Sequence, residues 1–300
     1  MSAKQQILII VGPTSSGKSA LAVQLARICN GEIISADSRQ VYRGLDIGTG
    51  KITKKEMRGV RHHLIDIASP KRMFTAHDFV KRARAAVSDI ARRGKLPIIT
   101  GGTGFYIDAL TGRITLPNVS ANRTLRSKLE KKSAAQLFAM LQKRDPQRAE
   151  TIDRHNMRRL IRALEIADAL GKNPVQRKAE LYDALWLGLS VPKTPLEQKI
   201  RTRLLARLKA GMVGEARRLR AAGVSYKRMH SLGLEYRSLA RLLQKQITKT
   251  QLVEELATDI SRYAKRQRTY WKRNTDIMWL NPREQKKIER TVRVWLRKTS

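Results

Sequence analysis

The segment near the N-terminus constrains the fold more than any other part of the sequence. An aliphatic run, Ile7–Val11, leads directly into Gly12-Pro13-Thr14-Ser15-Ser16-Gly17-Lys18-Ser19. Such a run ending in glycine predicts a strand buried on both faces of a parallel sheet. A helical repeat of apolar residues follows and stops near Asn30-Gly31. The loop between this strand and helix matches the G-x-x-x-x-G-K-[ST] pattern. In such loops the backbone N–H groups and the lysine hold phosphate groups, and the hydroxyl can hold Mg²⁺.

The rest of the chain alternates between strand and helix signals. A helix is predicted over His77–Arg93, and further strands are predicted at Glu32–Ala36, Leu96–Thr100, Trp186–Val191 and Ile277–Leu280. This alternation predicts an α/β fold, with a P-loop NTPase-like parallel sheet flanked by helices. Leu196, Ile200, Leu204, Leu208 and Met212 step at intervals of four, which predicts one face of a single helix.

The strand signal disappears between about Pro117 and Leu181. Polar helices replace it, and they are broken at Asp145-Pro146 and again at residues 171–174. We therefore expect an all-helical insertion over residues 117–181, inside a catalytic core formed by residues 1–116 and 182–300. Within the insertion, a helix over Asn156–Leu170 is predicted to bury a stripe of Met157, Leu160, Ile161 and Leu164.

The charge of the chain predicts a polyanionic partner. There are 62 Lys+Arg against 25 Asp+Glu, a formal net charge of +37. Nucleic acid explains this excess better than an acidic membrane surface does, although solvated basic helix faces are an alternative. The single cysteine, Cys29, excludes an internal disulfide and a multi-cysteine zinc site. With no long apolar run and no secretory signal, we expect a cytoplasmic protein that does not enter a membrane. We also expect it to act as a monomer.

Two further loops are predicted to lie beside the phosphate loop. Asp37 follows the second predicted strand, and Thr103 lies in the loop Gly101–Tyr106 after the strand Leu96–Thr100. The carboxyl ends of strands in an open α/β sheet are where ligands bind, so Asp37 should face the same crevice as Lys18. A carboxylate there could accept a proton, but a turn or helix-capping aspartate is an equally good interpretation of this segment.

Taken together, seven ordered motifs resemble the bacterial tRNA dimethylallyltransferase (tRNA isopentenyltransferase) family. They are GPTSSGKS at 12–19, DSRQVY at 37–42, HHLID at 62–66, GGTGFY at 101–106, RRLIRALEI at 158–166, LGLEY at 232–236 and AKRQRTYWKR at 264–273. The sequence departs from the family pattern in two places. Ser19 replaces the commoner threonine, and a usual GYKE-like segment is Gly233-Leu234-Glu235-Tyr236 here.

The resemblance implies a reaction. The family transfers a dimethylallyl group from dimethylallyl diphosphate to the exocyclic amine of the adenine on the 3′ side of the anticodon, in tRNAs that read U-initial codons. Diphosphate is the leaving group. The adenine must leave its stack to react, and flipping a base costs less in a loop than in a duplex.

The resemblance also implies roles for individual residues. The phosphate loop, Gly12 to Ser19, would hold the diphosphate and Mg²⁺, with Ser19 as the metal ligand and Arg203 as a further diphosphate contact. Asp37 would be the general base, and Thr103 would lie where tRNA and donor meet. The implied tRNA contacts are Asp37, Ser38, Arg39, Gln40, Thr103, Arg158, Arg159, Leu160, Ile161 and Arg162. Arg158, Arg159 and Arg162 lie off the apolar stripe, where phosphates can reach them, although a solvated basic face is the alternative.

Two other functions fit parts of the sequence. A P-loop kinase, or an enzyme that prenylates free adenine nucleotides, would use the same loop, which most commonly binds ATP. The charge of +37 argues against a free nucleotide as the acceptor. A non-catalytic RNA-binding protein would need none of Lys18, Asp37 and Arg203, so their presence argues against it.

Overall fold

The computed structural model describes residues 4–174 and 179–297. The strands are β1 (Gln6–Val11), β2 (Gly31–Ser35), β3 (His62–His63), β4 (Leu96–Thr100), β5 (Asp183–Leu189) and β6 (Met278–Leu280). The helices are α1 (Lys18–Ile28), α2 (Lys54–Met57), α3 (Ala76–Arg92), α4 (Gly104–Thr111), α5 (Arg123–Leu129), α6 (Ala134–Arg144), α7 (Pro146–Thr151), α8 (Met157–Leu170), α9 (Lys193–Lys209), α10 (Met212–Ala221), α11 (Tyr226–Ser231), α12 (Leu234–Leu243), α13 (Lys249–Lys272) and α14 (Gln285–Arg297).

The strands form a single parallel sheet in the order β3-β2-β4-β1-β5-β6. This confirms the predicted α/β fold, and β4 has the bounds that were predicted for it. The strand predicted at Trp186–Val191 lies at Asp183–Leu189 instead, because pairing with β1 begins three residues earlier, with Gln6 opposite Asp183. The order makes β2, β4 and β1 neighbours, so their carboxyl ends meet at one edge of the sheet.

Both faces of the sheet are covered by helices, which explains why β1 is apolar at every position from Ile7 to Val11. Ile7, Ile9 and Val11 pack on the side of α3 and α4. Leu8 and Ile10 pack on the other side, against α1 and α14. All five of these side chains are fully buried, as the uninterrupted aliphatic run predicted.

The prediction of one helix that carries the apolar face from Leu196 to Met212 is wrong at the C-terminal end. Helix α9 stops at Lys209, and Met212 begins α10. Gly211 lies between them with φ of 98°, a left-handed conformation that favours glycine and ends the helix. Met212 is nevertheless fully buried and belongs to the same apolar core as Leu204, so the spacing identified the core but not the helix boundary.

The chain divides into two compact units, unit 1 (Met1–Gly112 and Glu180–Ser300) and unit 2 (Arg113–Ala179). These boundaries lie within a few residues of those expected from the sequence, and residues 175–178 of the expected insertion lie outside the described residues. Unit 2 consists of α5 to α8 around its own apolar core. Helix α7 begins at the predicted break, where Asp145 caps it and Pro146 is its first residue.

The apolar stripe predicted for α8 is correct at three of its four positions. Leu160, Ile161 and Leu164 are buried in the core of unit 2. Met157 is the exception, because it is 37% exposed at the first residue of the helix. Across the described parts of the chain, no helix has the length and apolarity needed to cross a membrane.

Candidate active site

The phosphate loop connects β1 to α1 and has the backbone of an anion site. Gly12, Ser15 and Gly17 have positive φ angles of 142°, 62° and 95°. Alternation of left-handed and ordinary backbone turns successive N–H groups toward one concavity, which binds anions. A Cβ at Gly12 would also lie 3.0 Å from the carbonyl oxygen of Leu189. Glycine is therefore required there by both conformation and space.

Two buried polar groups in this loop have too few partners for a loop that only joins two elements. The Ser16 hydroxyl is buried and has no hydrogen-bond partner among the described residues. Lys18 Nζ donates to the carbonyl oxygen of Pro13 at 2.7 Å. Burial lowers the pKa of the Lys18 ammonium to about 8, against the raising effect of Asp37, and nearby Arg203 lowers it as well. A bound phosphate would supply acceptors to both groups, so the residues fit a phosphate ligand.

Asp37 is both a turn residue and a residue of the crevice, the two roles that the sequence left open. Its Oδ1 accepts hydrogen bonds from the backbone N–H of Arg39 at 2.8 Å and of Gln40 at 3.3 Å, which is an Asx turn. The turn uses only this oxygen, and the residue lines the crevice with Lys18. The carboxylate is thus held in place by its own backbone and still has an oxygen for a ligand.

The glycine loop after β4 joins the same edge. Thr103 Oγ1 accepts a hydrogen bond from the backbone N–H of Ser38 at 3.0 Å, and Thr103 N donates to the carbonyl oxygen of Ala36 at 3.0 Å. Of the neighbouring predicted residues, Gln40 lines the crevice. Arg39 Nη1 donates to the carbonyl oxygen of Ser231 at 3.2 Å. The ends of β1, β2 and β4 therefore converge, as the sequence predicted.

Arg203, on α9, lines the crevice beside the phosphate loop. Its Nη1 lies 3.4 Å from the Ser15 hydroxyl. Desolvation and the neighbouring Arg207 lower the pKa of Arg203, while Glu56 opposes them. Neither Lys18 nor Arg203 forms an ion pair within the described residues. The crevice, about 290 Å³ in volume, thus has two cations that lack a carboxylate partner in the described part of the chain, as a site for a polyanion requires.

Gln267, on α13, was not predicted from the sequence, and it connects two loops of the site. This side chain is 5% exposed. Its Oε1 accepts from the backbone N–H of Thr14 at 2.8 Å, and its Nε2 donates to the carbonyl oxygen of Gly102 at 2.9 Å. Tyr263, one turn earlier, also donates to that oxygen, at 3.0 Å. The only signal in the sequence was the motif AKRQRTYWKR, which does not say which of its residues reach the site.

The tRNA contacts predicted in unit 2 differ in their surroundings. Arg158 and Arg159 are exposed. Leu160 and Ile161 are buried in the core of unit 2, so their side chains are not available to RNA. Arg162 is also not a free cation, because its Nη1 contacts Glu165 at 2.8 Å and its Nη2 donates to the carbonyl oxygen of Val119 at 2.8 Å. The i, i+3 spacing of Arg162 and Glu165 on one helix was the signal that could have identified the paired arginine.

The residues around the loop fit a magnesium ion that is held mainly by its ligand. Ser19 is exposed at the start of α1. No cluster of three or more His, Cys, Asp or Glu suited to a metal occurs in the part of the chain that the structure describes. Mg²⁺ in phosphate sites commonly keeps several waters and takes only one or two protein ligands beside the phosphate oxygens. A single hydroxyl next to a phosphate site suits that pattern.

Known proteins resemble this chain over nearly all of its length. The tRNA dimethylallyltransferase of Pediococcus pentosaceus is 38% identical over 97% of both chains. That of Bacillus subtilis is also 38% identical, over 93% of this chain and 91% of the relative.

Two solved structures are similar as well. The tRNA isopentenylpyrophosphate transferase of Bacillus halodurans has a TM-score of 0.75 and 34% identity, with 98% of each chain covered. A eukaryotic dimethylallyltransferase acting on tRNA has a TM-score of 0.81 and 27% identity, covering 92% of this chain and 74% of that one. The family model described as IPP transferase matches residues 40–274. The chain therefore belongs to the IPP transferase family.

Proposed function

We propose that the protein transfers a dimethylallyl group from dimethylallyl diphosphate to the exocyclic amine of the adenine on the 3′ side of the anticodon, in tRNAs that read U-initial codons. The observation that carries this proposal is the composition of the crevice. Lys18 and Arg203 have no carboxylate partner among the residues that the structure describes, and Asp37 offers one carboxylate oxygen. The names of the relatives from Pediococcus pentosaceus and Bacillus subtilis support it.

The phosphate loop binds the diphosphate of the donor. Its oxygens are held by backbone N–H groups between Gly12 and Ser19, by the Ser16 hydroxyl and by Lys18. Arg203 contacts the diphosphate from the crevice wall. Mg²⁺, held by Ser19, would supply further positive charge beside the diphosphate. Negative charge builds on the departing diphosphate as the allylic C–O bond breaks, so these fixed cations stabilise the transition state more than the ground state.

Asp37 accepts the proton that the amine loses. The lone pair of an adenine amine is delocalised into the ring, which makes the amine a poor nucleophile. As the new C–N bond forms, the nitrogen becomes positive, and a carboxylate within reach takes one N–H proton. The Asx turn keeps Asp37 oriented, and Thr103 and Gln40 border the adenine.

The tRNA is held by positive charge outside the crevice. In unit 2, the exposed Arg158 and Arg159 contact phosphates, whereas Arg162 supports their helix. The net charge of +37 favours such a substrate over a free nucleotide. We propose that the protein acts as a cytoplasmic monomer.

The test is an acceptor comparison with purified protein, labelled dimethylallyl diphosphate and Mg²⁺, without ATP. Unmodified tRNA that reads a U-initial codon and AMP are the two acceptors, and ATP hydrolysis is followed in a third reaction. We expect label on the tRNA alone. Label on AMP, or hydrolysis of ATP, with none on tRNA would replace this proposal by a nucleotide-utilising enzyme.

A further inference from the structure

A short loop of unit 1, residues 45–51, forms part of the crevice wall. Thr49 and Gly50 line the crevice beside Arg203. The loop closes on itself, since Gly50 N donates to the carbonyl oxygen of Ile47 at 3.0 Å and Lys51 N donates to that of Asp46 at 2.9 Å. These bonds leave the N–H groups of residues 46, 47 and 48 to find partners elsewhere.

Those three N–H groups all donate to one buried carboxylate, that of Glu215 on α10. Glu215 is 3% exposed. Its Oε2 accepts from Asp46 N at 2.8 Å and from Ile47 N at 2.7 Å. Its Oε1 accepts from Gly48 N at 2.9 Å and from the Tyr236 hydroxyl at 2.6 Å. Successive backbone N–H groups that converge in this way form an anion-binding concavity, and here the anion is supplied by the protein.

The opposite side of the same loop contacts two arginines of α9. Arg207 Nη1 donates to the carbonyl oxygen of Gly48 at 2.7 Å. A Cβ built on Gly50 would lie 3.4 Å from Arg203 Nη2 and 3.7 Å from Arg207 Nη1, so both guanidinium groups pack directly on the loop. Gly48 therefore contacts Glu215 through its N–H group and Arg207 through its carbonyl oxygen.

We propose that Glu215 is a positioning residue for the diphosphate site. It does not line the crevice. By fixing the 45–51 loop, it fixes the surface on which Arg203 and Arg207 rest, and so the position of Arg203 in the crevice wall. This inference rests on the proposed function for the identity of the donor, but its physical content concerns diphosphate binding alone.

The test replaces Glu215 by glutamine and measures diphosphate affinity. In Glu215→Gln, an NH₂ group faces some of the four donors, so the loop must shift. We expect the Kd for inorganic pyrophosphate with Mg²⁺, measured by calorimetry without tRNA, and the KM for dimethylallyl diphosphate to rise about tenfold. The KM for tRNA should change less than about twofold, because the loop is expected to set the donor side only.

Two further variants separate positioning from general stability. Glu32 is also a buried carboxylate with several partners, namely His63, Arg93 and Lys95, but it does not line the crevice or contact the 45–51 loop. Glu32→Gln should lower the melting temperature and leave pyrophosphate affinity unchanged. Tyr236→Phe removes one of the four donors to Glu215, so it should weaken pyrophosphate binding in the same direction by a smaller factor.

Folded Glu215→Gln with the wild-type pyrophosphate Kd would overturn the inference. So would a Glu32→Gln variant that loses pyrophosphate affinity to the same extent. If Glu215→Gln does not fold, Tyr236→Phe decides, and an unchanged Kd in that variant overturns the inference. Failure of the proposed function is a separate result, because wild-type protein would then bind pyrophosphate without prenylating tRNA.

Discussion

The crevice of unit 1 and helix α8 of unit 2 are both rich in basic side chains, but they use them differently. Both Lys18 and Arg203 line the crevice, and neither forms an ion pair with another described residue. In unit 2, Glu165 pairs with both Arg126 and Arg162. A basic residue that the fold leaves unpaired near a cavity is available to a ligand, whereas one that neutralises a buried carboxylate stabilises the fold. The same residue type therefore serves binding in one region and architecture in the other.

Among these basic residues, removing the buried cation of the crevice, Lys18, should have the largest effect on the reaction. Lys18→Met keeps the length of the side chain and removes its charge. We expect kcat/KM for dimethylallyl diphosphate to fall about 10²–10³-fold, because a fixed charge aimed at the leaving group is lost. Steady-state kinetics with labelled donor measure this. A fall of less than about threefold would mean that Lys18 is not a ligand for the diphosphate.

Lys18 should also make the free energy of unfolding, measured without donor, depend on pH. Its pKa is lowered from 10.5 to about 8 in the folded protein. Between these values the unfolded chain holds the proton and the folded chain does not, so the free energy of unfolding rises with pH in that window. We expect wild type to gain up to about 3 kcal/mol relative to Lys18→Met between pH 8 and 10.5. Urea unfolding of both proteins across this range checks it, and parallel curves would contradict it.

Gln267 tests whether neutral groups hold the crevice in shape. Gln267→Leu leaves the Thr14 N–H without its partner, and the Gly102 carbonyl keeps only Tyr263. We expect the KM for the donor to rise about tenfold and the free energy of unfolding to fall by about 1–3 kcal/mol. Thr269→Ala, at an exposed position of the same helix, is the control and should change neither quantity. Equal effects of the two substitutions would refute a specific role for Gln267.

The smallest expected effects distinguish two arginines of unit 2. Arg158→Ala should raise the KM for tRNA a few-fold and lower the slope of log affinity against log salt by about one, without changing stability. Arg162→Ala should instead destabilise unit 2 by about 1–2 kcal/mol, because Glu165 and the Val119 carbonyl lose a donor. Filter binding at several salt concentrations and thermal unfolding measure the two quantities. Interchanged results would reverse the roles given to these residues.

The parts of the fold and site that could be predicted from the sequence are those encoded by neighbouring residues. The aliphatic run before Gly12 identifies a buried strand, and the loop motif specifies a phosphate site because its chemistry lies in its own backbone. Convergence of Asp37 and Thr103 on this loop followed from a general rule for parallel sheets. Each of these inferences needs only a short stretch of chain.

The rest depends on contacts between distant residues. Gln267 contacts Thr14, and Glu215 contacts Gly48, although the two residues of each pair are far apart in the sequence. No local pattern distinguishes these two polar residues from others on their helices. The pairing of Arg162 with Glu165 could have been predicted from their i, i+3 spacing on one helix, but the second partner of Glu165, Arg126, could not. The end of α9 was missed for a different reason, because apolar spacing continued smoothly through the glycine at 211.

In the proposed reaction, Asp37 accepts the proton of an adenine amine while the phosphate loop holds the leaving diphosphate. The most direct measurement is a single-turnover reaction of wild type and Asp37→Asn with unmodified tRNA, Mg²⁺ and dimethylallyl diphosphate, followed by mass spectrometry of anticodon-loop fragments. Asparagine can keep the Asx turn through its own oxygen but cannot take the proton. We expect one added prenyl group on the adenine 3′ to the anticodon in wild type, formed about 10²–10⁴-fold more slowly in Asp37→Asn, with donor binding retained. Equal rates in the two proteins, or no prenyl group on tRNA in wild type, would contradict it.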